Sequence, residues 1–151
     1  MIKKLFLAVI ASCLFVFSGC DLFDTDSGVP EIYASYFKGD GNTTGIQELD
    51  LEEGHKCFMN FKSGNMTLWV YGTWSGKAVP RASGESFTVN FTSLEDCQTG
   101  LPPASYSGFK LNTDYEFTFV KEEIEEIYTQ DYYTLNYVKN DTFGELWNII
   151  F

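Results

Sequence analysis

The chain has 151 residues, of which 44% are hydrophobic, 17% aromatic and 21% charged, and its formal net charge is -11. This balance excludes a disordered acidic tail, and the length allows one domain with a proper core but not two ordinary domains. The acidity also excludes the basic face that phosphates require, so we expect no nucleic-acid partner.

The N-terminal segment has the three parts of an export signal. Two lysines precede an apolar stretch from Leu5 to Phe17, which is shorter than the about 20 residues that a membrane-spanning helix needs. The run Phe17-Ser18-Gly19-Cys20 resembles the lipobox of bacterial lipoprotein precursors. That resemblance implies that residues 1–19 are a signal peptide and that Cys20 is acylated after cleavage. An ordinary secretory signal peptide is the alternative.

Residues 20–30 hold this cysteine and a short run of acidic and small residues, which predicts a flexible tether to a folded body at residues 31–151. We therefore expect a protein of the bacterial cell envelope that is attached to the outer membrane through its lipid anchor. The acidic run resembles a surface-export signal, whereas an aspartate directly after the cysteine resembles an inner-membrane retention signal. The membrane leaflet and the facing therefore stay open.

Cys57 and Cys97 are the two thiols of the body. Because exported proteins sit where disulfides persist, we predict that they form a structural disulfide worth about 4 kcal/mol. The alternative is a catalytic thiolate at Cys57 that works with His55, since residues two apart on a strand share a face.

Period-two alternation predicts strands through most of the body. Within residues 66–75, one face of an extended segment holds Met66, Leu68, Val70, Gly72 and Trp74. The other face holds Thr67, Trp69, Tyr71, Thr73 and Ser75. Residues 87–92, 115–119 and 133–137 alternate in the same way, with threonine and asparagine on the face expected to meet solvent.

Clusters of turn-forming residues separate these strands at 38–42, 63–65, 79–84, 99–103 and 139–141. Short strands at hairpin spacing predict an all-β domain, a single antiparallel meander that closes into a barrel, with a β-sandwich as the alternative. Only Lys121 to Thr129 has a helical pattern, and it fits two strand ends joined by a turn equally well.

A second resemblance lies in the middle of the chain. The stretch from Phe58 to Asn65, the run Gly72-Thr73-Trp74-Ser75-Gly76 and the strand from Ser86 to Val89 resemble the meander of bacterial lipocalin-like lipoproteins. The resemblance implies a barrel in which Trp74 plugs one end and the interior holds a small apolar molecule. Trp74 as an ordinary core aromatic is the alternative.

The residues of the common catalytic centres are not assembled in this sequence. One histidine and two body cysteines cannot supply a hydrolase triad or a zinc cluster, so we expect no catalytic residues, no cofactor and no metal. Two alternatives use carboxylates: a glycosidase-type pair within Glu122 to Glu126, and a calcium site. The candidate calcium ligands are Asp40, Asp50, Glu52 and Glu53.

The aromatic residues carry the functional hypotheses. Trp69, Tyr71 and Trp74 are the candidate contacts for a small apolar or carbohydrate ligand of a non-enzymatic binding module. Further rings that could lie at the surface are Tyr33, Tyr36, Tyr128, Tyr132 and Tyr133. The alternative is that many of these rings cover the second face of a small sheet. The alternative function is a structural or accessory envelope subunit that docks on another protein through a free edge strand and the aromatic face.

Overall fold

A computed structural model describes residues 30–120 and 134–150. Eight strands lie in these residues: β1 (Ile32–Lys38), β2 (Ile46–Glu52), β3 (Lys56–Ser63), β4 (Met66–Gly76), β5 (Ser86–Asp96), β6 (Asp114–Phe119), β7 (Thr134–Asn140) and β8 (Gly144–Ile150). A 3-10 turn at Glu53–His55 joins β2 to β3.

Each strand pairs antiparallel with the next one along the chain, and β8 pairs with β1. The structure therefore confirms the predicted all-β meander and its closure into a barrel, an architecture compatible with a lipocalin-like body. The predicted turns at 63–65, 79–84 and 139–141 fall at or next to the strand connections. The signal peptide, nearly all of the tether and the segment 121–129 lie outside the described residues.

The alternation predicted for the central strands is confirmed, because one face of each strand points into the barrel. On β4, Leu68 and Val70 are fully buried and Trp74 is buried, whereas Trp69 is 40% exposed and Tyr71 38% exposed. In the described part of the chain, no helix has the length and apolar character of a membrane span.

Aromatic rings fill the barrel interior. Phe143, in the turn between β7 and β8, is fully buried, and its ring centroid lies 4.9 Å from that of Tyr115. The ring of Phe91 lies 5.8 Å from it, and those of Phe109 and Phe61 lie 6.0 and 6.3 Å away. Ring pairs at these separations have the edge-to-face and tilted geometries that aromatic side chains prefer.

Both mouths of the barrel are covered by loops. At the mouth where β1 begins, the hydroxyl of Tyr36 donates to the carbonyl oxygen of Ala78 at 2.8 Å, and the amide of Asn136 donates to that of Pro80. These bonds hold the β4–β5 loop across the opening. The long β5–β6 loop covers the opposite mouth, where Phe109 packs edge-on against Phe61 at 5.0 Å.

The predicted orientation of β7 is wrong. The sequence places the ring-bearing side of residues 133–137 against the core. Tyr137 of that side is buried, but against Trp147 and outside the core cluster, and Leu135 is 43% exposed while Asn136 and Val138 are buried. The physical reason is the hydrogen bond from the Asn136 amide to Pro80, which satisfies an inward polar side chain.

The predicted disulfide is also wrong, because the barrel holds its two cysteines far apart as free thiols. Cys57 lies opposite Gly72 of β4, whereas the backbone N–H of Cys97 donates to the carbonyl of Thr67 at 3.0 Å. Gly72 and Thr67 are five residues apart on one strand, which corresponds to about 16 Å. A disulfide needs Cα atoms within about 7 Å of each other.

Candidate functional site

The outward face of β2, β3 and β4 combines carboxylates with exposed rings. We name it the β2–β4 face, and its side chains are those of Glu48, Asp50, Glu52, Phe58, Asn60, Trp69 and Tyr71. Strand register places these residues in adjacent cross-strand rows. One row runs from Glu48 through Asn60 to Trp69, and the next runs from Asp50 through Phe58 to Tyr71.

Asp50 is the unusual residue of this face. Its neighbours Leu49 and Leu51 point into the core and are fully buried, so the Asp50 side chain points to the outer surface, yet it is only 8% exposed. The Ser35 hydroxyl bonds to its carboxyl group, but Oδ1 is buried without a hydrogen-bond partner. A buried acceptor left unpaired costs about 1–3 kcal/mol, so this oxygen favours an incoming donor.

Asn60 supplies a second acceptor beside Asp50. Its Oδ1 is likewise buried without a hydrogen-bond partner, and the residue lies directly across from Glu48 on the neighbouring strand. Opposed residues of an antiparallel pair have Cβ atoms about 5 Å apart. Glu48, Asp50 and Asn60 therefore present their acceptor groups close together.

The carboxylates of the β2–β4 face are compensated only in part by nearby cations. Burial raises the pKa of Asp50, and burial followed by the charge of Asp50 raises the pKa values of Glu48 and Glu52. Lys56 lowers the pKa of Glu52 in part. Within residues 30–120 and 134–150 no lysine or arginine forms an ion pair with these three carboxylates.

Aromatic rings border the carboxylates. The rings of Phe58 and Tyr71 lie 5.7 Å apart, and the Tyr71 hydroxyl donates to Glu95 Oε1 at 2.9 Å. Burial, followed by the bond to Glu95, raises the pKa of Tyr71. Trp69 ends the row of Asn60 and leaves a large part of its indole in solvent. Such rings offer flat apolar surface next to acceptor oxygens.

The three predicted ligand contacts do not converge on one site. Trp69 and Tyr71 lie on the outer wall, whereas Trp74 points inward and donates from Nε1 to the carbonyl oxygen of Glu52 at 2.8 Å. Tyr33 packs edge-on against Trp74 at 6.1 Å, and the His55 ring lies 5.1 Å from it. Trp74 therefore belongs to the covering of the mouth where β1 begins.

The other rings expected at the surface divide in a similar way. Tyr33 is half exposed, but Tyr36 is fully buried, because its hydroxyl finds a carbonyl partner inside the barrel. Tyr128, Tyr132 and Tyr133 lie outside the described residues. None of the eight described strands has a free edge along its whole length, since closure of the barrel gives each two neighbours, but β1 pairs with β8 only from Tyr36 to Lys38.

A groove of about 570 Å³ opens where β1 and β8 separate. The two strands pair only from Tyr36 to Lys38 and from Leu146 to Asn148, and the wall parts beyond that point. The groove is lined by Ile32, Tyr33, Ala34, Ser35, Phe37, Val79, Arg81, Asn148 and Ile149. Most of this lining is apolar, which suits an apolar molecule.

The alternative of a catalytic thiolate at Cys57 is disfavoured by the pKa of this thiol. Cys57 is buried, and this burial raises the pKa of its thiol to about 12. A thiol with that pKa remains protonated at neutral pH and is a poor nucleophile. His55 lies on the exposed 3-10 turn, so the predicted shared strand face of His55 and Cys57 is wrong.

The described residues contain no group of three or more histidine, cysteine or acidic side chains placed to hold a metal ion. Of the carboxylates that the sequence offers as calcium ligands, Asp50 and Glu52 share the β2–β4 face, but the four do not form such a group. Glu122 to Glu126, the other carboxylate alternative, lies outside the described residues.

Comparison of the chain with protein families, curated proteins and solved structures finds no significant match.

The sequence reading missed Glu48 and Asn60 and considered Asp50 only as a calcium ligand. A usable signal was present in residues 48–52, where three acids alternate with two leucines. That pattern places all three carboxylates on one face of a strand whose other face is core. The unpaired oxygens of Asp50 and Asn60 could be recognised only from the packing around them.

Proposed function

We propose that this protein is a lipid-anchored lipoprotein of the bacterial envelope that acts without catalysis, as an accessory subunit that docks on another protein through the β2–β4 face. The observation that carries the proposal is the exposure of Trp69 and Tyr71 beside carboxylates that form no ion pair in the described residues, over an interior that aromatic rings already fill. Exposed aromatic side chains next to polar groups are typical of protein-binding surfaces.

The anchor half of the proposal rests on Phe17-Ser18-Gly19-Cys20. The described barrel begins at Pro30, so ten residues from Cys20 to Val29 would separate the acyl chains from it. Covalent geometry limits such a tether to about 35 Å.

A photo-cross-linking amino acid at position 69 of the full-length chain, in its native host, tests the docking function. We expect a discrete cross-linked product at this position and none at position 118, an exposed site on β6 that serves as the matched control. The product should be lost in a Cys20→Ala chain, which should also fail to incorporate labelled palmitate. Equal cross-linking at both positions, or none at 69, would contradict the proposal.

A second candidate function, the binding of a small apolar molecule, is favoured by the groove between β1 and β8. Its volume of about 570 Å³ lies in the range of ligand sites. Addition of an apolar fluorescent probe distinguishes the two functions. Probe binding that is abolished by Val79→Glu would support the binding of a small apolar molecule in the groove. Cross-linking at position 69 that the probe does not affect would support docking.

A further inference from the structure

We infer that the β2–β4 face receives an arginine side chain of the partner protein, whose guanidinium group sits against Glu48, Asp50 and Asn60. This inference rests on the proposed docking function and specifies the chemistry of its partner. It begins from the 8% exposure of Asp50 and the unpaired Oδ1 atoms of Asp50 and Asn60, which lie on the outer wall.

The charge of the site selects a cation over a neutral donor. Glu48 and Glu52 flank Asp50 along β2, the charge of Asp50 acts against both, and none of the three forms an ion pair in the described part of the chain. A sugar hydroxyl could donate to one oxygen but would leave this repulsion in place. A cation that donates hydrogen bonds satisfies the unpaired oxygens and neutralises the charge together.

The shape of the site selects arginine over lysine. Its acceptors belong to two neighbouring strands, Glu48 and Asp50 on β2 and Asn60 on β3, so one planar group with several N–H donors can bridge them once the side chains that cover the two buried Oδ1 atoms move aside. The Phe58 ring lies beside Asp50 and the Trp69 indole beside Asn60. A guanidinium group stacks on such rings, whereas an ammonium group acts as a compact point charge.

Titration calorimetry on the mature lipidated protein in non-ionic detergent tests the inference with three probes: tetra-arginine, tetra-lysine and the neutral tetra-citrulline peptide. We expect tetra-arginine to bind more tightly than tetra-lysine and tetra-citrulline not to bind. Asp50→Asn should weaken tetra-arginine binding about 30-fold, because a buried charge partner is lost. Glu116→Gln removes the same charge from the exposed wall at β6 and should change binding less than twofold.

Several results would overturn the inference. The first is the absence of tetra-arginine binding, and the second is binding of the lysine or citrulline peptide that equals that of tetra-arginine. The third is an equal loss of binding in the Asp50→Asn and Glu116→Gln variants, which would indicate general attraction to an acidic protein. Glu48→Gln is the second variant and should also weaken binding. If cross-linking at position 69 persists in the Asp50→Asn variant, the docking function is supported but the arginine contact is refuted. If the unmodified chain gives no cross-linked product at position 69, the docking function itself is refuted.

Discussion

Replacing Phe143 by alanine tests whether the barrel interior is filled. Phe143 is fully buried. Its ring contacts five others, those of Phe61, Phe91, Phe109, Tyr115 and Phe117. Buried Phe→Ala changes cost about 3–5 kcal/mol, and we expect about 4 kcal/mol here because rigid rings on all sides resist collapse into the space. This is a large fraction of the roughly 10 kcal/mol that stabilises a typical domain.

The assay is urea denaturation of a chain that begins at Asp21, with and without benzene. Benzene should raise the urea midpoint of Phe143→Ala, whose new cavity is apolar, and leave that of the unmodified protein unchanged. Phe37→Ala is the control, because Phe37 is 43% exposed on the outer wall and its loss should cost less than about 1 kcal/mol. A loss below about 1 kcal/mol for Phe143→Ala, or stabilisation of the unmodified protein by benzene, would refute a filled interior.

Three further changes test the structure in the same chain. Burial raises the pKa of Asp50, so the folded state retains its proton to higher pH than the unfolded state, and the free energy of unfolding falls as pH rises through that window. Asp50→Asn should therefore be more stable at pH 7 by about 1 kcal/mol in denaturant titrations, and a less stable variant would contradict this. Trp74→Phe removes the bond to the Glu52 carbonyl and should lower the free energy of unfolding by about 2 kcal/mol; an unchanged denaturation midpoint would count against that bond. Thiol titration should find two free thiols in denatured, unreduced protein, with Cys97 reactive and Cys57 protected before denaturation, whereas a count of zero would restore the disulfide.

Much of the fold could be predicted from local pattern. The alternation of Leu68 and Val70 with Trp69 and Tyr71 determines which face of β4 is buried, and glycine- and proline-containing turns mark the strand ends. Closure of the barrel requires in addition the pairing of β1 with β8, the first and last described strands, which no local pattern contains. Asn136 shows where this reasoning fails, because its inward position depends on a carbonyl group 56 residues earlier in the chain. No local pattern contains that information.

The site was less predictable than the fold, because it depends on contacts between residues that are distant in the sequence. Composition identified Trp69 and Tyr71 as candidate contacts, and the structure leaves both exposed on one wall. Trp74 lies apart from them because it is five residues from Trp69, and this odd spacing puts it on the opposite face of β4, as the alternation of residues 66–75 already indicates. The prediction that Cys57 pairs with Cys97 failed because the number of cysteines in a sequence does not determine the distance between them in the fold. The burial of Asp50 depends on strand register.

The central claim is that this protein binds through its outer wall and not inside its barrel. The indole N–H signals of Trp69 and Trp74 in a nitrogen-15 NMR spectrum report the two locations separately, because one lies on the wall and the other beneath the mouth. Titration of the mature protein with tetra-arginine should shift the Trp69 signal and leave that of Trp74 in place. A shift of Trp74 with Trp69 unchanged would contradict the account.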